Sequence, residues 1–263
     1  MMLRRSPQVE YRTAGEIDAM AATGAVVAEV LRRSSASAVV GATPRDLDAI
    51  ADQVMAEAGA VTVYRGYHPS WAPTPYPAVL CVSVNDEVVH AIPGDRPFEE
   101  ADLVSIDFAC SLDGWCADAA VTVAVGDARP ADQSLIDTAR AALDAGIAAA
   151  VAGGRLGDIG AAVAAPVEAA GFGMLANHGG HGIGRTMHAP PHVPNEGPAG
   201  RGLKLRPGLV IAIEPMLQAG GRSDYRHLAD GWGIRTADRS RAVHVEHTVA
   251  VTAAGPRVLT QAG

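Results

Sequence analysis

Apolar residues recur along this chain with two different periods. A helical spacing of Ala, Val, Ile and Leu runs to about Arg33. It is opened by Thr13-Ala14-Gly15-Glu16, the spacing of a capping box in which the two polar side chains each bind the other's free backbone N–H. Thr43-Pro44 offers an N-cap and a first-turn proline for a second helix ending near Gly59. Alanine-rich stretches at about 131–152 and 157–170 predict two more, and Pro166, which has no N–H to donate, should kink or break the last of them. Alternation of period two appears elsewhere. "AVLCVSVNDEVVHAIPG" predicts a hairpin turning at Asn85-Asp86 with His90 on the returning strand. "ADLVSIDFAC", "DAAVTVAVG", "GLVIAIEPM" and "VHVEHTVAVT" predict four further strands. From Val61 to Pro77 the chain is rich in Pro, Tyr and Trp without a period, which reads as a long surface loop of the kind that often carries function.

The strands repeat one another. Leu103-Val104-Ser105-Ile106-Asp107 aligns without gaps on Val210-Ile211-Ala212-Ile213-Glu214, each an apolar run ending in a carboxylate. Asp118 then opens "DAAVTVAV" and Glu246 opens "EHTVAV", so the chain reads as two related halves. A carboxylate between apolar strand residues is costly to bury alone, and four in matching positions call for shared compensation such as metal ions.

Composition bounds the setting. The chain has 263 residues, 48% of them hydrophobic, enough to bury a core as one large domain or two small ones. A net charge of −8 with scattered Lys and Arg leaves no basic patch for nucleic acid. No apolar run approaches a membrane span, and the opening "MMLRRSPQVEYRT" has no apolar stretch to act as a signal, so a soluble, cytoplasmic protein is expected. Cys81, Cys110 and Cys116 have no paired or CxxC spacing and read as packing residues in a reducing compartment.

Bridging carboxylates let one side chain serve two cations while offsetting their repulsion. Asp107, Asp118, Glu214 and Glu246 suit that role, and so hard a donor set favours Mn, Fe, Co or Zn over a closed structural zinc site. Four of the nine histidines crowd into "NHGGHGIGRTMHAPPH": His178, His181, His188 and His192. Among them His181 is the best fifth ligand, because Gly179, Gly180, Gly182 and Gly184 permit close approach around it.

"VNDEVVHAIPG", "DLVSIDFACSLDGWCADAAVTVAVG", "GHGIGRTMH", "IAIEPM" and "DGWGIRTADRSRAVHVEHTVAVT" together resemble the type I methionine aminopeptidases, over about residues 10–255. The resemblance implies an α+β pita-bread fold, a pseudo-two-fold antiparallel sheet with helices on its outer face, as one catalytic domain over 1–263 with tails at about 1–12 and 256–263. It also implies two divalent ions, among Co, Mn, Fe or Zn, held by Asp107, Asp118, His181, Glu214 and Glu246. His90 and His188 would act on substrate, Glu214 would take a proton, and His178 and His192 match neither role. Tyr76, Cys81, Met187 and Trp232 stand at positions of the methionine pocket. The implied activity is removal of the initiator methionine when the second residue is small. The implied partner is the N-terminus of a peptide or nascent chain, with transient ribosome contact, no direct nucleic-acid or membrane binding, and a monomeric protein. A proline-specific relative and a non-catalytic binding relative are the competing readings. "SWAPTPYP" departs from the family's short loop, and "HAPPH" replaces the acidic residues that usually follow the second histidine.

Overall fold

Thr13 and Glu16 close the predicted capping box: Thr13 N donates to Glu16 Oε2 at 2.8 Å and Glu16 N donates to Thr13 Oγ1 at 3.3 Å. The computed structural model describes residues 8–261. From that cap, helix α1 (Ala14–Ser37) runs a turn past Arg33, carried by buried Leu31 and Ser34. Helix α2 (Pro44–Ala58) starts at Thr43 and stops at Gly59, whose φ of 67° is a left-handed conformation that suits glycine. Helices α3 (Pro130–Ala149) and α4 (Leu156–Ala170) form a second pair.

The strands are β1 (Val61–Thr62), β2 (Cys81–Val84), β3 (Glu87–Val89), β4 (Leu103–Leu112), β5 (Trp115–Ala124), β6 (Gly173–Met174), β7 (Gly179–Gly182), β8 (Ala189–Pro194), β9 (Val210–Ile213), β10 (Met216–Gln218), β11 (Tyr225–His227), β12 (Ile234–Thr236), β13 (Ala242–His244), β14 (Glu246–Thr252) and β15 (Gly255–Val258). One antiparallel sheet of nine strands runs β1-β4-β5-β14-β9-β7-β8, with β2 added on β4 and β15 on β14. Two three-stranded sheets, β13-β10-β6 and β11-β12-β3, complete the set. The helix pairs divide the core between them. Val27, Leu31, Leu47 and Val54 of α1 and α2 pack on Ile106 and Phe108 of β4, while Ile136, Leu143, Ile159 and Val163 of α3 and α4 pack on Ile211, Ile213 and Val249. Each half of the repeat thus owns a helix pair and its own strands.

Four expectations need correction. Helix α4 is not broken at Pro166 but continues to Ala170; Ile159, Val163 and Val167 are buried in the core, and that packing outweighs the one backbone bond the proline removes. The chain turns at Asn85-Asp86 as predicted, but its two arms form no ladder with each other beyond a bond from Val82 N to the Ala91 carbonyl: β2 pairs with β4 and β3 with β12. At its corner, Asn85 is drawn away by side-chain bonds to Leu103 N, Asp102 and Arg241. "VHVEHTVAVT" and "GLVIAIEPM" each split between two sheets, at Val245 and at Glu214-Pro215. Residues 256–260 are not a tail: β15 pairs with β14, and Leu259 and Thr260 are buried. Of the remaining tail residues, Val9 packs against the core and Arg12 N donates to the Gly208 carbonyl, while 1–7 and 262–263 lie outside the described residues.

Residues 179–194 carry two strands that periodicity misses. Glycine and proline are poor strand formers, yet β7 has to fit closely between β8 and β9. A side chain at Gly180 would collide with the Ala212 carbonyl, and one at Gly182 with the Pro190 carbonyl. Bare backbone there lets His181 reach the middle of the sheet.

Candidate metal centre and substrate cleft

The sheet order β4-β5-β14-β9-β7 is also the order of the five suspected ligands: Asp107, Asp118, Glu246, Glu214 and His181. Register puts them on one face. Asp107 on β4 and Glu246 on β14 both stand opposite Ala120 of β5, and directly opposed residues share a face. Asp118 lies two residues from Ala120 and therefore joins them. Glu214 follows Ile213, which pairs with His247, so it sits beside Glu246. His181 Nδ1 donates to the Gly182 carbonyl at 3.0 Å. That bond leaves Nε2 unprotonated in the neutral ring, 3.8 Å from Asp118 Oδ2 and 3.7 Å from Glu214 Oε1.

Burial dominates the electrostatics. It pushes Asp107 up to about 6, and it raises Asp118, Glu214 and Glu246 well above the carboxylate range, with their mutual repulsion adding to the effect. Among the described residues no Lys or Arg nitrogen comes within 4.0 Å of these four side chains; the basic partners there are His181 and His244. Burial holds both of those rings down to about 3, hence neutral. Glu246 Oε1 is buried without a hydrogen-bond partner. Four acidic groups, neutral imidazoles and an orphaned oxygen form a donor set that divalent cations fit. Asp118, His181 and Glu246 each offer a ligand atom within 4.8 Å of the other two, as do Glu214, His244 and Glu246.

Above this face opens a cavity of about 480 Å³. The four suspected pocket residues, Tyr76, Cys81, Met187 and Trp232, all line it and are all buried. Tyr76 shares its hydroxyl between the Leu80 and Ala91 carbonyls, at 3.1 and 3.0 Å, which fixes the backbone next to His90. His90 is not on the strand but just beyond β3, with a φ of 61°. Its Nδ1 is buried without a partner, and burial lowers the ring to about 3. His188 is exposed at the cavity wall, its ring edge-on to His181 at 4.4 Å and its Nδ1 3.3 Å from the Tyr67 hydroxyl.

Several neighbours of the carboxylate face escape a reading of the sequence. Tyr64, Tyr67 and Trp71 of the aperiodic loop line the cavity, and the Tyr64 hydroxyl reaches Asp107 Oδ1 and Asp118 Oδ1. Their one signal is the aromatic density of the loop. His178, which matches no role in the sequence, lines the cavity too, with Nδ1 donating to the Ala176 carbonyl at 2.8 Å. His192 stands opposite His181 on β8 and lines a side pocket instead. His244 gives no sign beyond lying two residues before Glu246.

The pattern of metallopeptidase family M24 matches residues 11–253. Methionine aminopeptidase 1 of Mycobacterium tuberculosis (strain CDC 1551 / Oshkosh) is 49% identical over 265 residues, covering 98% of this chain and 97% of that protein. The crystal structure of methionine aminopeptidase from Thermotoga maritima superposes with a TM-score of 0.92 at 35% identity, covering 97% of this chain and 100% of that one. Prolidase from Pyrococcus furiosus shares the fold at a TM-score of 0.76 and 18% identity, with 96% of this chain covered and 66% of the prolidase. A pita-bread fold with its carboxylates on one sheet face thus agrees with near full-length likeness, and the chain belongs to metallopeptidase family M24, among its methionine aminopeptidases.

Proposed function

We propose that this protein removes the N-terminal methionine from peptides and nascent chains whose second residue is small, working as a monomer in the cytoplasm and meeting the ribosome transiently. The observation that carries this reading is the row of five donors on neighbouring strands, lying directly beneath a cavity walled by Tyr76, Met187 and Trp232. No described helix is long and apolar enough to cross a membrane.

Asp107, Asp118, His181, Glu214 and Glu246 would hold two divalent ions, drawn from Co, Mn, Fe or Zn. Such ions, when bound, supply a Lewis acid for the scissile carbonyl and lower the pKa of a water molecule. Glu214 is the most exposed of the four carboxylates and borders the cavity, which suits it to accept the proton of the attacking water. If Tyr67 donates to His188 Nδ1, the neutral ring keeps its proton on Nε2 and presents a donor to the developing oxyanion. His90, held neutral by burial, offers a second ring toward the departing amine. The methionine side chain would lie against Cys81, Met187 and the ring of Trp232, with sulfur and aromatic partners for its thioether.

Metal-reconstituted protein should release free methionine from a Met-Ala peptide and lose that activity to a chelator. Absence of release with every one of the four metals overturns the reading.

A further inference from the structure

Trp71 stands apart from the other two tryptophans. Trp115 and Trp232 are buried, while Trp71 is 56% exposed. Its place is nonetheless fixed. The Tyr67 carbonyl accepts from Tyr76 N and the Tyr76 carbonyl accepts from Gly66 N, each at 2.9 Å, so residues 68–75 leave and rejoin the chain at one pinned point. Within that loop Ala72 N donates to the Pro69 carbonyl at 3.0 Å, and the Trp232 indole donates to the Thr74 carbonyl at 3.1 Å. Pro73 packs on Gly231, where an added Cβ would come within 2.6 Å of the proline ring. A loop ordered in advance binds a ligand with little further loss of entropy.

The loop holds this indole at the cavity's mouth. Tyr76, Cys81, Met187 and Trp232 are buried within the cavity wall, whereas Trp71 lines the same cavity and is more than half open to solvent. It meets Trp232 edge-on, with 5.0 Å between ring centroids. In an extended peptide the first and third side chains point the same way and stand about 6.5–7 Å apart, because each residue rises about 3.3 Å. That step is of the same order as the one from Trp232 to Trp71. A first side chain lying on Trp232 therefore sends the third toward Trp71, while the small second one points to the opposite face.

We propose that Trp71 is a specificity residue of this cleft, packing its indole on the side chain of the peptide's third residue and favouring an apolar or aromatic one there. The inference rests on the methionine-releasing activity proposed above. An aromatic third side chain covers the exposed indole and takes apolar surface out of water; a short polar one such as serine leaves it wet.

Steady-state hydrolysis of Met-Ala-Phe-Gly and Met-Ala-Ser-Gly by the metal-reconstituted protein tests this. The parent should cleave the phenylalanine peptide with kcat/KM about 2- to 10-fold higher, the size of one aromatic contact, and the advantage should lie in KM. Trp71→Ala should bring the two peptides together, and Trp71→Phe should keep part of the preference. Equal kcat/KM for the two peptides in the parent, a preference for the serine peptide, or a preference that survives intact in Trp71→Ala overturns the assignment while leaving the methionine-releasing activity standing. Release of methionine from neither peptide by the parent defeats that activity itself, and this assignment with it.

Discussion

The Tyr64 hydroxyl donates to Asp107 Oδ1 at 2.6 Å. The same oxygen lies 3.2 Å from Asp118 Oδ1, so one phenol ties together two carboxylates that repel each other on adjacent strands. Tyr64→Phe should therefore lower the stability of the metal-free protein by about 1–2 kcal/mol at pH 7, the cost of leaving a buried acceptor short of its donor. The metal-saturated protein should lose less. Urea unfolding of both forms measures it, and an unchanged midpoint in the metal-free variant contradicts the role.

Asp107→Asn should change how the stability of the metal-free protein depends on pH. Burial raises the Asp107 carboxyl from its ordinary 3.8 to about 6 in the folded chain, so between those values the folded state holds the proton more tightly than the unfolded state does. This group's contribution to stability is therefore present below pH 4 and lost as the pH rises through 6. Relative to the parent, the metal-free Asn variant should gain about 2 kcal/mol between pH 4 and pH 7. Metal content should fall at the same time, because a negative donor has gone. A constant stability difference across that range, measured by unfolding at each pH, rules the account out.

His188 and His178 both line the cavity, but they should behave differently from Asp107. His188→Ala should keep its metal while kcat/KM drops by roughly 10²-fold, the size of losing one preorganised donor. His178 spends its Nδ1 proton on the Ala176 carbonyl and packs edge-on to Tyr225. His178→Ala should leave metal content and kcat close to the parent's. Metal analysis beside peptide kinetics decides it: metal loss in the first variant, or crippled turnover in the second, reverses the assignment.

The loop from Tyr64 to Pro77 is part of the cleft. Trp71 and Tyr76 both meet Trp232 edge-on at 5.0 Å, and the Trp232 indole donates to the Thr74 carbonyl. Replacing Ser70-Trp71-Ala72-Pro73 with a short Gly-Ser link removes one aromatic pair, so KM for a methionyl peptide should rise about 2- to 10-fold. Equal KM and kcat in parent and variant would show the rim to be idle.

Much of this was legible in the residues. Local signals survive folding when the rule behind them is local. The Thr13 and Thr43 caps and the apolar runs ending in Asp107 and Glu214 each depend on a few neighbours in sequence. What escaped depends on contacts between distant segments. No period marks β7 and β8, whose glycines answer to the carbonyls of other strands, and the hairpin at Asn85 yields to bonds reaching Asp102 and Arg241. Pro166 carries a real cost that core packing overrides. Tyr64 and His244 were invisible for the same reason: only the sheet order brings a loop tyrosine and a β13 histidine to carboxylates on four other segments.

This cleft should select an N-terminal methionine rather than a residue before proline. Hydrolysis of Met-Ala-Ser and of an Xaa-Pro dipeptide by the same metal-reconstituted preparation, followed by mass spectrometry of the products, tests it directly. Release of methionine from Met-Ala-Ser with little or no cleavage of the Xaa-Pro dipeptide is the predicted result, and faster cleavage of the Xaa-Pro dipeptide would contradict the account.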